Sequence, residues 1–219
     1  MQIGNAVYRQ VLEAELARPK GHFTENGIAR NLSISPNTVS IAIKKLLDIG
    51  AAAMYRRHFE ILSFDKALAY WAATRKFGKD IAYSTYVNKP AKAIEQSMPG
   101  ETAYTSYTGY ANLFGNDAAD YGEVYVYATD VGLSDIKSRF EKNLFAPRSK
   151  YANLVVLKPD KVLYVMIKEN SLNKSTVPKT QLYADLWNIS EWNAYEFVKK
   201  LKKTIDDEYA KNLLQLSRN

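Results

Sequence analysis

The sequence contains no cysteine, only two histidines, and no hydrophobic run long enough to cross a membrane. The lack of cysteine excludes disulfides, thiolate nucleophiles and cysteine-based zinc or iron–sulfur sites. Because His22 and His58 both lie in the N-terminal part, histidine acid–base catalysis elsewhere in the chain is excluded. A membrane span needs about 18 apolar residues in a row. Since the first residues also lack the basic-then-apolar pattern of a signal peptide, we expect a cytoplasmic protein.

Positive charge is in moderate excess, with 30 lysines and arginines against 23 acidic residues. This balance favours an anionic partner such as a nucleic acid. The excess is spread along the chain, because residues 1–66 carry a net charge of +3 and the remainder +4. Charge alone therefore does not locate a binding surface, and the order of the residues must do so.

Apolar residues at helical spacing predict three helices near the N-terminus. They fall at residues 2–17, 25–32 and 36–49. Ser35 is a natural N-cap and Pro36 suits the first position of the third helix, while Gly50 suits its end. Only three residues separate the second helix from the third, which is the tight turn of a helix-turn-helix motif.

Beyond Gly50 the periodicity changes from that of a helix to that of a strand. Residues 51–55 and 58–62 are predicted to form a β-hairpin with Arg56 and Arg57 at its turn. Three helices followed by a hairpin are typical of a winged helix-turn-helix domain, which we assign to residues 1–66. In such a domain the third helix enters the major groove of duplex DNA and the hairpin lies on the backbone beside it.

The third helix has a polar outward face when its apolar residues are turned inward. Asparagine, threonine and serine side chains suit base edges, and an exposed isoleucine suits a thymine methyl group. Lysine and arginine suit phosphates, which set affinity and register. The predicted DNA-binding residues are Ser35, Asn37, Thr38, Ser40, Ile41, Lys44, Lys45, Arg56, Arg57 and His58. Two alternatives stay open, a merely solvated helix face and a protein-interaction module, and His58 suits a structural role equally well.

The remainder of the chain alternates strand and helix patterns, which predicts a mixed α/β domain and an α+β class for the whole protein. A helical connector is predicted at residues 67–79 and the domain itself at 80–219. Strands are predicted at residues 81–87, 123–129, 154–157 and 162–167, and helices at 89–98, 102–114, 133–140, 179–187 and 190–216.

Two segments of this second part carry a family resemblance. One is Tyr107–Gly115 followed by the strand Glu123–Tyr127, and the other is Val177–Trp187 with its Gln-Leu-x-x-Asp-Leu pattern. With a winged helix in front and Glu196–Leu201 behind, the chain resembles the AbiEi-like antitoxins, transcriptional regulators of type IV toxin–antitoxin (abortive-infection) systems. The resemblance implies an N-terminal domain that binds operator DNA and represses its own operon. It also implies a C-terminal domain that aids DNA binding and counters a nucleotidyltransferase-like toxin without requiring a stable complex.

Catalytic motifs are absent from the sequence. A nucleotidyltransferase needs paired carboxylates on a strand, but Glu123 stands alone there, and Asp117 and Asp120 lie in the preceding loop. The segments around Asp160 and Lys168 lack the Glu-x-Lys order of a nuclease, and no phosphate-binding glycine loop occurs. We therefore predict no catalytic residue, metal ligand or cofactor. A ligand-binding one-component regulator and an enzyme with a DNA-targeting domain stay open as alternatives, as does a homodimer on a palindromic operator.

Two further clusters each allow two interpretations. Six tyrosines fall close together and suit either a core or a stacking surface for single-stranded nucleic acid, the core being favoured. They are Tyr104, Tyr107, Tyr110, Tyr121, Tyr125 and Tyr127. A lysine run in the last helix suits either a solvated face or a secondary contact to DNA phosphates. It comprises Lys199, Lys200, Lys202 and Lys203.

Overall fold

The computed structural model describes residues 3–115, 118–140, 151–170 and 175–217. The chain divides into two compact units. The first comprises Met1–Arg75, Pro178–Asn188 and Lys199–Asn219, and the second Lys76–Val177 and Ile189–Val198. These units divide the chain at other positions than the predicted boundaries near residues 66 and 79, since C-terminal segments group with the N-terminal helices. Within the described ranges, none of the helices combines the length and the apolar character that membrane crossing requires.

The described residues form a mixed α+β protein. In chain order its helices and strands are α1 (Ile3–Ala17), α2 (Glu25–Leu32), α3 (Pro36–Asp48), β1 (Ala52–Met54), β2 (Phe59–Ile61), α4 (Phe64–Thr74), β3 (Ile81–Thr85), α5 (Ala91–Gln96), β4 (Thr102–Thr105), α6 (Ser106–Phe114), β5 (Val124–Ala128), α7 (Asp130–Phe140), β6 (Leu154–Leu157), α8 (Lys161–Glu169), β7 (Ser175–Thr176), α9 (Lys179–Leu186) and α10 (Trp192–Leu216).

Capping residues fix the ends of α2 and α3 where the sequence predicts them. The Thr24 hydroxyl accepts a hydrogen bond from the Gly27 amide at 3.0 Å, and the Ser35 hydroxyl accepts one from the Thr38 amide at 3.2 Å. Ser33 ends α2 in the left-handed conformation with φ 53°. Three residues therefore separate the end of α2 from the start of α3, and the β1–β2 hairpin follows α3 as an antiparallel pair.

Helices α1, α3 and α4 supply the apolar core of the first unit. Leu12 of α1, Ile43 of α3 and Trp71 of α4 are fully buried. The indole N–H of Trp71 donates to the side-chain oxygen of Asn5 at 3.1 Å, so its one polar atom is satisfied inside the core. Because α3 buries one face here, its opposite face is left at the surface.

A buried polar network joins α1, the end of α4 and α9. Arg75 and Asp185 form an ion pair at 2.7 Å with both side chains almost fully buried. The Gln181 amide donates to the same Asp185 oxygen at 2.7 Å, and Arg9 donates to the Gln181 carbonyl at 2.9 Å. The Gln-Leu-x-x-Asp-Leu pattern of α9 therefore places its glutamine and aspartate in the interior of the first unit.

The second unit contains a five-stranded mixed sheet in the order β3-β6-β5-β4-β7. Strands β5 and β6 are parallel, as are β4 and β7, whereas β3–β6 and β4–β5 are antiparallel. On β5 the valines Val124 and Val126 join a core that includes Ile94 of α5 and Ile136 of α7. Since side chains alternate along a strand, the tyrosines of β5 lie on the other face of the sheet.

Two predicted elements are wrong. Residues 162–167, predicted as a strand, belong to helix α8, whose first turn is held by Asp160 accepting from the Val162 and Leu163 amides at 3.0 and 2.9 Å. Capping thus outweighs the strand preference of its β-branched residues. The helix predicted from residue 102 begins only at Ser106, because residues 102–105 are strand β4. Asp117 lies outside the described residues.

Candidate nucleic-acid interface

The outward side of α3 is polar, basic and accessible. We call it the α3 face, and it comprises Asn37, Thr38, Ser40, Ile41, Lys44 and Lys45. Four of these residues are exposed, whereas Thr38 and Ser40 are partly buried. The opposite side of the helix is formed by Val39, Ala42, Ile43 and Leu46, all of them buried as the sequence predicts. The helix therefore has one face in the core and one face available to a partner.

Ile41 differs in character from the rest of the α3 face. Its side chain is 58% exposed although it is β-branched and wholly apolar. Residues three and four apart on a helix are neighbours, so Ile41 lies between Asn37 and Lys44. An apolar side chain between a hydrogen-bonding group and a cation gives this face the mixed chemistry of a base-edge contact.

The first turn of α3 is capped by side-chain hydrogen bonds. Besides accepting from the Thr38 amide, the Ser35 hydroxyl lies 2.8 Å from the Thr38 hydroxyl and shares a hydrogen bond with it. These bonds use part of the capacity of both hydroxyls. Asn37, in contrast to Ser35 and Thr38, takes no part in these capping hydrogen bonds. Its side-chain amide is exposed and can bind a partner.

The hairpin turn presents two arginines. Arg56 and Arg57 are exposed, and the turn is closed by a hydrogen bond of 2.8 Å from the Tyr55 amide to the His58 carbonyl. His58 itself is partly buried, and its Nε2 atom lies 2.9 Å from Oε1 of Glu60. The arginines are thus oriented to the surface, while the histidine ring is held by a carboxylate.

A cleft of about 190 Å³ lies beside the hairpin and brings in residues that the sequence analysis did not consider. Its walls come from the start of α2 and from the hairpin, with Thr24, Glu25, Asn26, Tyr55, Arg56 and Arg57 among the lining residues. The amides of a helix start attract anions, whereas the carboxylate of Glu25 in the same turn repels them. The cleft thus joins the first turn of α2 to the two arginines as one continuous surface.

Asp48 limits the basic surface at the other end of α3. It is exposed and follows Lys44 by four residues, which puts it on the same side of the helix. A carboxylate repels phosphate, so the basic part of α3 is confined to the turns before it. The four-residue spacing between Lys44 and Asp48 is visible in the sequence and would have predicted that Asp48 lies on this side of the helix.

The lysine run of α10 is not uniform. Lys199, Lys200 and Lys203 are exposed, whereas Lys202 is half-buried, with its ammonium nitrogen 3.0 Å from an oxygen of Asp65 and 2.5 Å from one of Asp206. Burial lowers the pKa of Lys202, but the bonds to Asp206 and Asp65 outweigh that effect and raise the pKa above its ordinary value. Lys202 is therefore the charged partner of two aspartates in ion pairs at the surface of the first unit.

The clustered tyrosines lie in the core of the second unit. Tyr104, Tyr107 and Tyr127 are at most 1% exposed, and the ring of Tyr107 lies 4.9 Å from that of Phe197 and 5.4 Å from that of Tyr121. Burial raises the pKa of Tyr121 to about 12. These rings have no open face for a base, which confirms the core interpretation.

One backbone feature of the second unit has the form of a catalytic turn. Ser106 joins β4 to α6 with φ 56°, as the nucleophile does at a strand-to-helix elbow. Its side chain is fully buried, however, and within the described part of the chain its hydroxyl oxygen has no hydrogen-bond partner. Both histidines of the chain belong to the first unit.

No protein-family model matches the chain, and neither a curated protein nor a solved structure matches it at a significant level. The function must therefore be argued from the surfaces described above. The resemblance to AbiEi-like antitoxins stays an expectation from the sequence motifs.

Proposed function

We propose that this protein is a sequence-specific DNA-binding transcriptional regulator whose N-terminal elements act as a winged helix-turn-helix. Helices α1 to α3, the three-residue connection before α3 and the β1–β2 hairpin follow one another in the order of that motif. In the proposed complex α3 enters the major groove and the hairpin contacts the adjacent backbone.

The observation that carries the proposal is the exposed Ile41 between Asn37 and Lys44 on the α3 face. Ile41 is a large exposed apolar side chain among hydrogen-bonding and basic groups of the same helix face. In a major groove the same residue contacts a thymine methyl group, and Asn37 forms the bidentate bonds that asparagine makes with adenine.

The basic residues have a different role in the proposed complex. Lys44 and Lys45 flank the base-reading positions, and Arg56 and Arg57 extend from the hairpin. They neutralise phosphates, which positions the protein and supplies most of the salt-dependent affinity.

We further propose that the regulator is an autorepressing antitoxin of a type IV system, as the resemblance to AbiEi-like proteins implies. The regulated DNA is then the operator upstream of its own gene. Its functional counterpart is a nucleotidyltransferase-like toxin encoded beside it, countered without a required stable complex.

The deciding experiment is a footprint and gel shift on the DNA upstream of the gene at stated salt concentrations. It compares the unaltered protein with a K44A/K45A/R56A/R57A variant. The expected result is a protected site, preferably an inverted repeat, that is lost in the variant. Each lost phosphate contact should reduce the slope of log affinity against log salt by about 0.9.

A K66A/K79A/K158A/K161A variant is the matched control, because it removes the same charge from exposed positions outside the α3 face and the hairpin. It should bind the site nearly as well as the unaltered protein. If both variants lost the same DNA affinity, the loss would reflect net charge and not the α3 face and hairpin. If the unaltered protein bound upstream and random DNA equally well, the proposal would be contradicted.

A further inference from the structure

The two histidines of the chain meet at one carboxylate at the base of the hairpin. The cluster consists of His22 in the connection from α1 to α2, His58 just before β2, and Glu60 in β2, and we call it the histidine cluster. Nε2 of His22 and Nε2 of His58 lie 3.0 and 2.9 Å from the same oxygen, Oε1 of Glu60. Two histidines that are 36 positions apart in a chain of 219 residues thus converge on one atom.

Backbone pairing brings these side chains together. The residue after His22 pairs with β2 in both directions, with Phe23 donating to the Phe59 carbonyl at 3.0 Å and Phe59 donating back at 2.8 Å. Side chains alternate along extended chain, so His58 and Glu60 share the face opposite to Phe59. Since Phe23 is opposite Phe59, His22 lies across from Glu60 on that same face.

The connection that carries His22 is itself held in place. Glu15 is fully buried and accepts hydrogen bonds from the Lys20 amide at 2.8 Å and from the Gly21 amide at 3.1 Å. The rings of His22 and His58 stack with their centroids 4.3 Å apart, and the Tyr55 ring stacks on the far side of His58 at 5.0 Å. The backbone pairing and these ring contacts thus hold the three side chains close together, and a bound ion would require the stacked imidazoles to rotate so that both ring planes include it.

We propose that the histidine cluster binds one divalent transition-metal ion, of which Zn²⁺ is the type case, through two imidazoles and one carboxylate. The three ligand atoms lie within 4.8 Å of one another. On a tetrahedral zinc ion with bonds of about 2.0–2.1 Å, neighbouring ligand atoms are about 3.3 Å apart. The two nitrogen–oxygen separations in the cluster are within a few tenths of an ångström of that spacing.

The donor set selects the class of ion. Imidazole nitrogens suit zinc, cobalt, nickel and copper, whereas magnesium and calcium prefer oxygen ligands alone. Two histidines and one glutamate are also the three protein ligands of four-coordinate zinc sites whose fourth position holds water. His22 is 67% exposed at its side chain, so the ion has access from solvent.

Metal binding would replace hydrogen bonds within the cluster. Without the ion, each imidazole bonds Glu60 through a proton on Nε2, whereas coordination requires those nitrogens unprotonated and the remaining protons on Nδ1. The ion would then connect the α1–α2 segment to the strand that follows Arg56 and Arg57. The site does not depend on the proposed DNA binding, although it lies at the base of the same hairpin.

The test uses full-length protein without a histidine tag, treated with a chelator and then titrated with Zn²⁺ by calorimetry and with Co²⁺ by visible absorption at pH 7.5 or above. The expected result is one ion per chain, with the Co²⁺ spectrum showing nitrogen and oxygen ligands. H22A and E60Q should each weaken binding at least about tenfold, because even the loss of an outer-shell partner costs about 10–100-fold.

E169Q is the matched control, since Glu169 is exposed and lies in the second unit, and it should retain the affinity of the unaltered protein. The exposed His22 side chain makes H22A a mild change, and circular dichroism checks that the variant is folded. The proposal is overturned if the unaltered protein binds neither ion at micromolar concentrations. It is equally overturned if folded H22A binds as tightly as the unaltered protein, because the ion would then be held elsewhere.

Discussion

Two sets of cationic side chains in the first unit differ in what surrounds them. Arg75 is almost fully buried and lies 2.7 Å from Asp185. Lys202 is likewise engaged, with two aspartates at its ammonium group. Lys44 and Lys45 on the α3 face, in contrast, are exposed beside an exposed isoleucine.

This difference indicates that a cationic side chain paired with a carboxylate contributes to stability, whereas an exposed one is available for binding. A buried guanidinium requires a carboxylate because an unpaired charge in the interior is expensive. An exposed lysine has no such requirement and keeps its charge available to a phosphate. The first set should therefore affect stability when changed, and the second set should affect binding to DNA.

The largest expected effect is on the buried pair. D185A removes the carboxylate and leaves Arg75 in the interior, so we expect the free energy of unfolding to fall by about 3–5 kcal/mol. Urea denaturation followed by circular dichroism measures this change. K44A is the matched exposed variant, and it should alter stability by no more than about 0.5 kcal/mol.

A second variant distinguishes the effect of removing the whole Arg75–Asp185 ion pair from the effect of removing only one of its charges. In R75M/D185L both charges are replaced by apolar side chains, and the free-energy loss should be smaller than in D185A. If D185A lost no more stability than K44A, the proposed difference between buried and exposed cations would be wrong for the pair that is expected to show it most clearly.

The same distinction explains how far the sequence could predict the fold and the site. Helices α2 and α3 were predictable because Thr24, Ser35 and Pro36 mark their starts locally. The pairing of Arg75 with Asp185 joins residues 110 positions apart, and no local pattern encodes that distance. Local sequence signals therefore predicted the α3 face but not the long-range pairs of charged residues in the interior.

Helix α8 and the histidine cluster illustrate the two reasons for failure. In α8 the β-branched residues Val162, Val165 and Ile167 favoured a strand, but the N-cap hydrogen bonds from Asp160 stabilise a helix. For the cluster, His58 and Glu60 already had the two-residue spacing of one strand face. His22 could be added only once the pairing of Phe23 with Phe59 was known.

The next effect concerns sequence discrimination by the α3 face. N37A and I41A remove groups proposed to contact bases, and each should lower discrimination at one base pair by about 1–3 kcal/mol. Neither change removes charge, so the salt dependence should stay the same. K45A should instead weaken all sequences alike and reduce the salt slope by about 0.9.

Fluorescence anisotropy with the operator and its single-base-pair variants measures both quantities at fixed salt. N31A serves as a control, because Asn31 is an exposed asparagine of α2 that lies outside both the α3 face and the cleft beside the hairpin. A uniform loss across all base pairs in N37A would show that Asn37 contributes affinity alone, and the assignment of α3 as the base-reading helix would then be wrong.

The smallest effect is expected for the lysine run of α10, where both kinds of cation occur side by side. K199Q/K200Q/K203Q changes three exposed lysines, and Asp207 follows Lys203 by one helical turn on the same side, as on a solvated face of mixed charge. We therefore expect no change in the salt slope of DNA binding. K202Q breaks the ion pairs to Asp65 and Asp206, and because these pairs are partly exposed the loss of stability should not exceed about 1 kcal/mol.

A salt slope reduced by about 0.9 for each lysine in the triple variant would instead assign the run to a secondary phosphate contact. The exposed lysines of α10 would then belong to the DNA-binding surface, and the ion pairs of Lys202 to Asp65 and Asp206 would hold the helix face that carries them.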